Sequence, residues 1–371
     1  MPVRMMMRTS ARSRCTPLHA SLAKKNDDKR PLRIAMRVSV LFIAVAFGNA
    51  AHAGGGGSNM SLSPGNHVCV GVHQVTLPSG ATAKVTSTYA GLRDSVRTGA
   101  QWDAVLSSLR DRADAAKAAA SPRTDRAAEL YRAAGADPEV AFSDSRLVGF
   151  DANDDVVVIA EHVGPAASFS LEAHQVQDGH HLTFAGESSQ AHRYNAVRDG
   201  VLETIARYRV HVSGESPPAD AFCTSNGYFR LKDGADVAGD AQLFVTFLDM
   251  PRITFSLNIH GLVQPANEPS FAERAARDLA EIASLGGQVS RLRDGRREYG
   301  GQAGQMVAIS VSSDDGGNDV YKYFWHATGR PLDAYAPEIE AELLADDGHG
   351  VNQRVLDALW DDLMGGLQLR R

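Results

Sequence analysis

Cysteine is scarce in this 371-residue chain, with three in all at positions 15, 69 and 223. So small a set excludes a disulfide-built scaffold and leaves no C-x-x-C pair for zinc or thiol exchange. Long apolar runs are missing too, since the run Val38–Phe47 holds only ten residues where a membrane span needs about 20. A polytopic membrane protein is thereby excluded, and 43% hydrophobic with 22% charged residues excludes a disordered chain. The chemistry-bearing motifs are absent as well. There is no G-x-S-x-G elbow, no H-E-x-x-H, no Walker loop and no dinucleotide G-x-G-x-x-G, so the sequence nominates no catalytic residue, no metal and no cofactor.

What is present begins with a charge asymmetry. The net charge is −6, yet the first 53 residues carry ten Lys/Arg against two acids, leaving 28 basic and 42 acidic residues, or −14, for the remainder. An anionic body is repelled by phosphate backbones, so nucleic acid is a poor partner and a basic protein surface a better one. The N-terminus reads as an exported leader: Met36-Arg37, the apolar run, then the small-x-small triplet Ala51-His52-Ala53 give a signal over 36–53 cleaved after Ala53. Residues 1–35 are an upstream extension, and 54–66, opening on Gly54-Gly55-Gly56-Gly57-Ser58, are a flexible mature start with no stable membrane insertion. Export leaves Cys69 and Cys223 as an even pair in an oxidising compartment, the periplasm, where they are expected to bond; two separately buried thiols are the alternative.

The polar, proline-paired stretch 214–220 (Gly214-Glu215-Ser216-Pro217-Pro218-Ala219-Asp220) marks a linker between domains at 67–213 and 221–371. In the first, strands are expected at Val68–Thr76, Ala83–Tyr89, Asp155–His162, Ser168–Gln175 and His181–Gly186. The spacing of Trp102, Val105, Leu106 and Leu109 gives one helix, a second follows Pro122, and a third runs from Tyr194 to Tyr208. In the second, strands fall at Leu243–Leu248, Ile253–His260, Gln288–Arg293, Met306–Val311, Val320–Trp325 and Glu338–Leu344, with helices over Phe271–Ile282 and Val351–Leu363. The fold class is α+β, two tandem domains of like element order, each an antiparallel sheet packed with helices.

Three polar clusters invite a chemical reading. Asp151-Ala152-Asn153-Asp154-Asp155 imitates a calcium loop but has Val156 in place of the glycine and His162 in place of the glutamate, so it reads as a turn. The histidines at 162, 174, 180, 181 and 192 lack metal-ligand spacing. In Glu338-Ile339-Glu340-Ala341-Glu342-Leu343, period-2 alternation puts three carboxylates on one strand face, a solvated face or edge protection in the plain reading and an acidic docking surface in the sharper one. Asp314 and Asp315, in a turn-rich stretch, are further contact candidates.

Several segments resemble the two-domain periplasmic immunity proteins that neutralise phospholipase effectors of the type VI secretion system. These are His67-Val68-Cys69-Val70-Gly71 running into Val75-Thr76-Leu77-Pro78, Phe222-Cys223, Gly295-Arg296 before Gly300 and Gly304-Gln305, Phe324-Trp325 with Gly329, and Pro337-Glu338-Ile339. Val72 stands where an arginine is expected and Gln305 where an acid is common. The resemblance implies an exported, non-enzymatic inhibitor whose partner is a cognate lipase of a kin cell. A generic envelope binding or assembly module and an exported hydrolase are the alternatives.

Overall fold

The structure, a computed structural model, describes residues 60–61 and 67–370 apart from 134, 136, 139–143, 165–167, 189–192, 212–215, 233–238, 265–273, 275–276, 278–279, 281–286, 314–318 and 347–350. In chain order it begins with strands β1 (Met60–Ser61), β2 (His67–Val70), β3 (His73–Thr76), β4 (Ala81–Thr88) and β5 (Arg93–Thr98). Helices α1 (Trp102–Ala118) and α2 (Asp125–Ala133) precede β6 (Leu147–Ala152), β7 (Val156–His162), β8 (Phe169–Gln177) and β9 (His180–Ser188). Helix α3 (Tyr194–Ile205) leads into β10 (Tyr208–Val210), β11 (Ala221–Cys223) and β12 (Gly227–Arg230). The long strands β13 (Asp240–Phe247), β14 (Met250–His260), β15 (Gly287–Tyr299), β16 (Gln302–Ser313), β17 (Val320–Ala327) and β18 (Glu338–Asp346) follow, then helix α4 (Gln353–Gly365) and β19 (Leu367–Leu369).

All pairings between these strands are antiparallel, as the α+β reading requires. An eight-stranded sheet runs β1-β4-β13-β14-β18-β17-β16-β15 and a five-stranded sheet runs β5-β9-β8-β7-β6. Two three-stranded ribbons, β10-β12-β11 and β19-β3-β2, complete the set. Strict alternation explains the large sheet's inner face. Ile253, Phe255, Leu257 and Ile259 of β14 and Ile339, Ala341, Leu343 and Ala345 of β18 are all buried, while the intervening polar residues face outward. Helix α4 covers part of that face. Asn352 caps it by accepting the Val355 N–H at 3.2 Å, and Trp360 packs against Tyr323 and Phe255 at ring distances of 5.7 and 6.4 Å. Helix α1 places its stripe of Trp102, Val105, Leu106 and Leu109 on Val157 and Ile159 of β7, forming a smaller core of its own.

Several expectations need correction. Val68–Thr76 is two strands, because Gly71 at φ +56° turns the chain, and β2 pairs back on β3. The α3 stripe stops at Ile205, and Tyr208 belongs to β10, where its ring packs edge-on to Phe184 and Phe229. Strands β1, β5, β6, β10, β11, β12 and β19 lie outside the expected elements; β1, β10, β11, β12 and β19 are only two to four residues long, and β5 and β19 pair with strands distant in sequence. The large sheet draws on both halves, since β4 pairs along its whole length with β13, and β19 returns to β3. The helix expected over Phe271–Ile282 lies largely outside the described residues. From Gly54 onward the chain forms one compact unit. We propose that 67–213 and 221–371 are nonetheless its two domains, the first lending β4 to the second's sheet and the preceding segment adding β1 beside it.

The glycines of the motif segments are packing requirements. A Cβ on Gly304 would lie 2.6 Å from the Trp325 ring and against the His326 carbonyl. Gly304→Ala should therefore destabilise by roughly 1–3 kcal/mol or more through overpacking. Gly200, exposed inside α3 with nothing near its missing side chain, is the control, and Gly200→Ala should stabilise by about 0.5–1 kcal/mol. Urea unfolding midpoints of the two variants moving in the same direction would contradict this assignment.

Candidate interaction surface

The carboxylates of β18 stand on the outer face of the large sheet. Their strand is central, between β14 and β17, so edge protection is not their role. Register sets their neighbours: His260 of β14 lies opposite Glu338, and His326 of β17 lies opposite Glu340. Each acid has a partner. Glu338 Oε1 is 2.7 Å from His326 Nε2, Glu340 Oε1 accepts from Arg274 at 2.9 Å, and Glu342 is 3.3 Å from Lys322 Nζ. The hydrogen bond to His326 holds Glu338 below the ordinary carboxylate pKa. Asp240, 3.2 Å from His260 Nδ1, raises that imidazole despite its burial. The row is thus an ion-paired, half-buried seam and not a bare anionic patch. Glu342, with 32% of its side chain exposed, is the most open of the three. Asp314 and Asp315 lie outside the described residues.

The first-half histidines are differently placed. His174 and His181, on β8 and β9, stack at 5.4 Å with Nδ1 of one 3.2 Å from Nε2 of the other, and Trp102 packs on His181. Burial lowers the His181 pKa. His174 also lies 3.3 Å from Glu172, whose carboxylate receives Arg112 at 2.8 and 3.1 Å. Arg112 reaches Glu161 as well, so α1 is bound to the five-stranded sheet by charge besides apolar packing. His180 follows the Asp178–Gly179 hairpin turn, and His192 is outside the described residues. Asp151–Asp155 is a turn, with Asn153 Oδ1 accepting from the Asp155 and Val156 N–H groups.

A third cluster ties β2, β11 and Arg370 to Pro217 and Pro218. Cys69 of β2 and Cys223 of β11 form a disulfide with Cα atoms 5.7 Å apart. Gly71 and Cys223 bridge the same strands through backbone bonds of 2.8 and 3.2 Å. The Arg370 guanidinium lies against both sulfurs, at 2.9 and 3.1 Å, and donates to the carbonyls of Pro217 and Pro218.

Exposed apolar side chains form a further feature that sequence reading missed. Leu332, at φ +58° and 53% exposed, donates its N–H to the Leu262 carbonyl at 2.7 Å, beside Val263 at 62% exposed. The roles of His260, Arg274 and His326 were missed too. Only their register against β18, or a contact from a distant segment, brings them to the carboxylates. Among the described residues no helix is long and apolar enough to cross a membrane.

Comparison with known proteins places this geometry. Residues 215–371 match the family model described as the Tle cognate immunity protein 4 C-terminal domain. The chain superposes on apo immunity protein TplEi of the T6SS from Pseudomonas aeruginosa with a TM-score of 0.66 at 15% identity, covering 82% of this chain and 96% of that one. A chain of the Tle4–Tli4 complex gives 0.65 at 14% identity over 82% and 97%. TplEi complexed with "L" peptide gives 0.60 at 17% over 82% and 97%. At these identities the likeness establishes a common fold. No curated protein matches by sequence.

Two buried elements generate stability predictions. His73 of β3 is fully buried, and neither ring nitrogen finds a hydrogen-bond partner of good geometry. Desolvation lowers its pKa to about 4, against a small opposing effect of the Gly300 backbone. The unfolded chain takes up this proton near pH 6.5 and the folded one does not, so stability is lost as pH falls from 6.5 to 4, by up to roughly 3 kcal/mol. Glu172, held at about 2 chiefly by its hydrogen bond to His174, contributes stability present above pH 4.5 and lost as pH falls towards 2. His73→Leu should flatten the upper window in urea titrations and leave the lower one; an unchanged slope between pH 6.5 and 4 would rule His73 out. Removing the disulfide by Cys69→Ala/Cys223→Ala should cost at most roughly 5 kcal/mol, read as a lower unfolding midpoint that reductant no longer shifts.

Proposed function

We propose that this chain, whose residues 215–371 match the Tle cognate immunity protein 4 C-terminal domain, is an immunity protein that binds and neutralises a cognate type VI secretion phospholipase effector. That match carries the reading, and the fold shared with TplEi and with a chain of the Tle4–Tli4 complex supports it across both halves. The protein works by occupying its partner and has no turnover of its own. Its site of action is the periplasm, where an effector delivered to the envelope meets membrane phospholipid, and the 36–53 leader takes it there.

Inhibition by occupancy requires a surface that is already in shape, because ordering side chains and loops on binding reduces the affinity left over. The eight-stranded sheet supplies such a surface. The net charge of −14 beyond residue 53 speeds encounter with a basic partner through its summed field, a rate effect that salt screens. Glu342, the most open acid of β18, is the first of the Glu338, Glu340 and Glu342 row to test for contact.

A lipase gene found beside the gene for this chain would supply the partner for a direct test. Purified protein should form a stoichiometric complex with that lipase and abolish its phospholipase activity, with association slowing as salt rises, and should itself hydrolyse no phospholipid. Cells making residues 36–371 should survive periplasmic delivery of the lipase, and cells making 54–371 at equal level should not. Protection by the cytoplasmic form would overturn the compartment. Failure of both forms against every neighbouring lipase would overturn the immunity reading.

A further inference from the structure

On the outer face of the large sheet, the donor atoms of His326, Glu338 and Glu340 all lie within 4.8 Å of one another. We propose that these three side chains, with His260 as fourth donor, bind a divalent transition-metal cation, zinc in first place. The donor set is an imidazole and two carboxylates, the kind that zinc accepts together with one further ligand.

Register makes the arrangement rigid. Glu338 and Glu340 are two residues apart on β18 and so share a face, and His326 and His260 come from the strands hydrogen-bonded on either side. Ligands fixed on three adjacent strands of a sheet interior hold their positions better than ligands on loops. A tetrahedral zinc site places donors about 3.3 Å apart. The present separations, from 2.7 Å between His326 Nε2 and Glu338 Oε1 to the 4.8 Å limit, reach that by small side-chain rotations.

A second observation lies outside the three donors. His260 has Asp240 Oδ1 3.2 Å from its Nδ1, the carboxylate–imidazole pairing that orients a metal-ligating histidine and leaves Nε2 as donor. His260 lies directly opposite Glu338 in the β14–β18 register.

Arg274 donates to Oε1 of Glu340 and Lys322 lies against Glu342, so a bound cation would share these carboxylates with the side chains that already reach them. Local spacing does not reveal this grouping, because His326 precedes Glu338 by 12 residues across a turn and His260 lies on a third strand, unlike any local metal motif.

The test uses untagged residues 54–371, stripped with chelator and titrated with zinc against a chromophoric chelator at neutral pH. One equivalent should bind, with micromolar affinity or tighter. His326→Gln and Glu338→Gln should each weaken binding at least about tenfold, while His174→Gln, in the other histidine cluster, should leave it unchanged. In the unaltered protein, zinc should also shift the imidazole proton NMR signals of His260 and His326, a readout that survives any variant's failure to fold. Failure to take up zinc, equal loss in His174→Gln, or a titration that moves neither imidazole would overturn the site. None of these outcomes depends on neutralisation of a lipase, so this site and the proposed function stand or fall separately.

Discussion

The pairing of β4 with β13 is the constraint on which the rest of the molecule depends. It joins residues 81–88 to residues 240–247 along their full length, so the large sheet is complete only when a segment from the first half has crossed to the six strands of the second. Closing so long a loop has an entropic cost that rises slowly with its length, and contacts distant in sequence form late in folding. The other long-range links gather near this one. The Cys69–Cys223 disulfide, the Gly71–Cys223 backbone bridge and the return of β19 to β3 bring the first strands, the start of the second half and the C-terminus together. Arg370 then bonds the chain end to Pro217 and Pro218, so the 214–220 stretch is itself clamped by side chains.

With that frame closed, the polar interior becomes a set of local problems solved by different means. Asp94 is buried and satisfied by neutral donors, Tyr208 at 2.8 Å, Thr224 at 3.0 Å and Asn226 at 3.1 Å, which link β5 to the β10–β12 region. Glu161 and Glu172 share Arg112 of α1, and Arg146 reaches Glu161 as well. The β18 row instead uses a histidine, an arginine and a lysine, one for each acid. Buried charges without such partners would be strongly destabilising. It follows that the field which steers a partner arises from the whole body's surplus of acids and not from this row.

Legibility in the sequence followed the range of the interactions concerned. Elements set by local periodicity could be read: α1, α4, β14 and β18 all lie where their apolar spacing indicated. The disulfide could be read because, with Cys15 assigned to the expected leader, Cys69 and Cys223 remained as an even pair, bonded or separately buried, and the structure has them bonded. The crossing of β4 could not, since Ala81–Thr88 alternates the same way whichever sheet receives it. Nor could the seat of the β18 acids, because alternation gives a strand's two faces without saying whether the strand is central or at an edge. His260, Arg274 and His326 became visible only with register and tertiary contact.

The residues that carry the family resemblance explain why so little identity preserves so much structure. Phe222, Cys223, Trp325 and Ile339 are all buried, Gly71 makes a turn at positive φ, and Gly304 and Gly329 have no room for a side chain. These positions specify packing, and a fold shared at 14–17% identity with TM-scores of 0.60–0.66 is what packing constraints alone would retain. Partner choice is a difference of affinities between related surfaces, and buried residues cannot express it. Exposed side chains such as Val263, Leu332 and Glu342 are the kind that can change without disturbing the core. The segments that carry the resemblance are buried or sterically confined, so they report the fold and leave any partner unspecified.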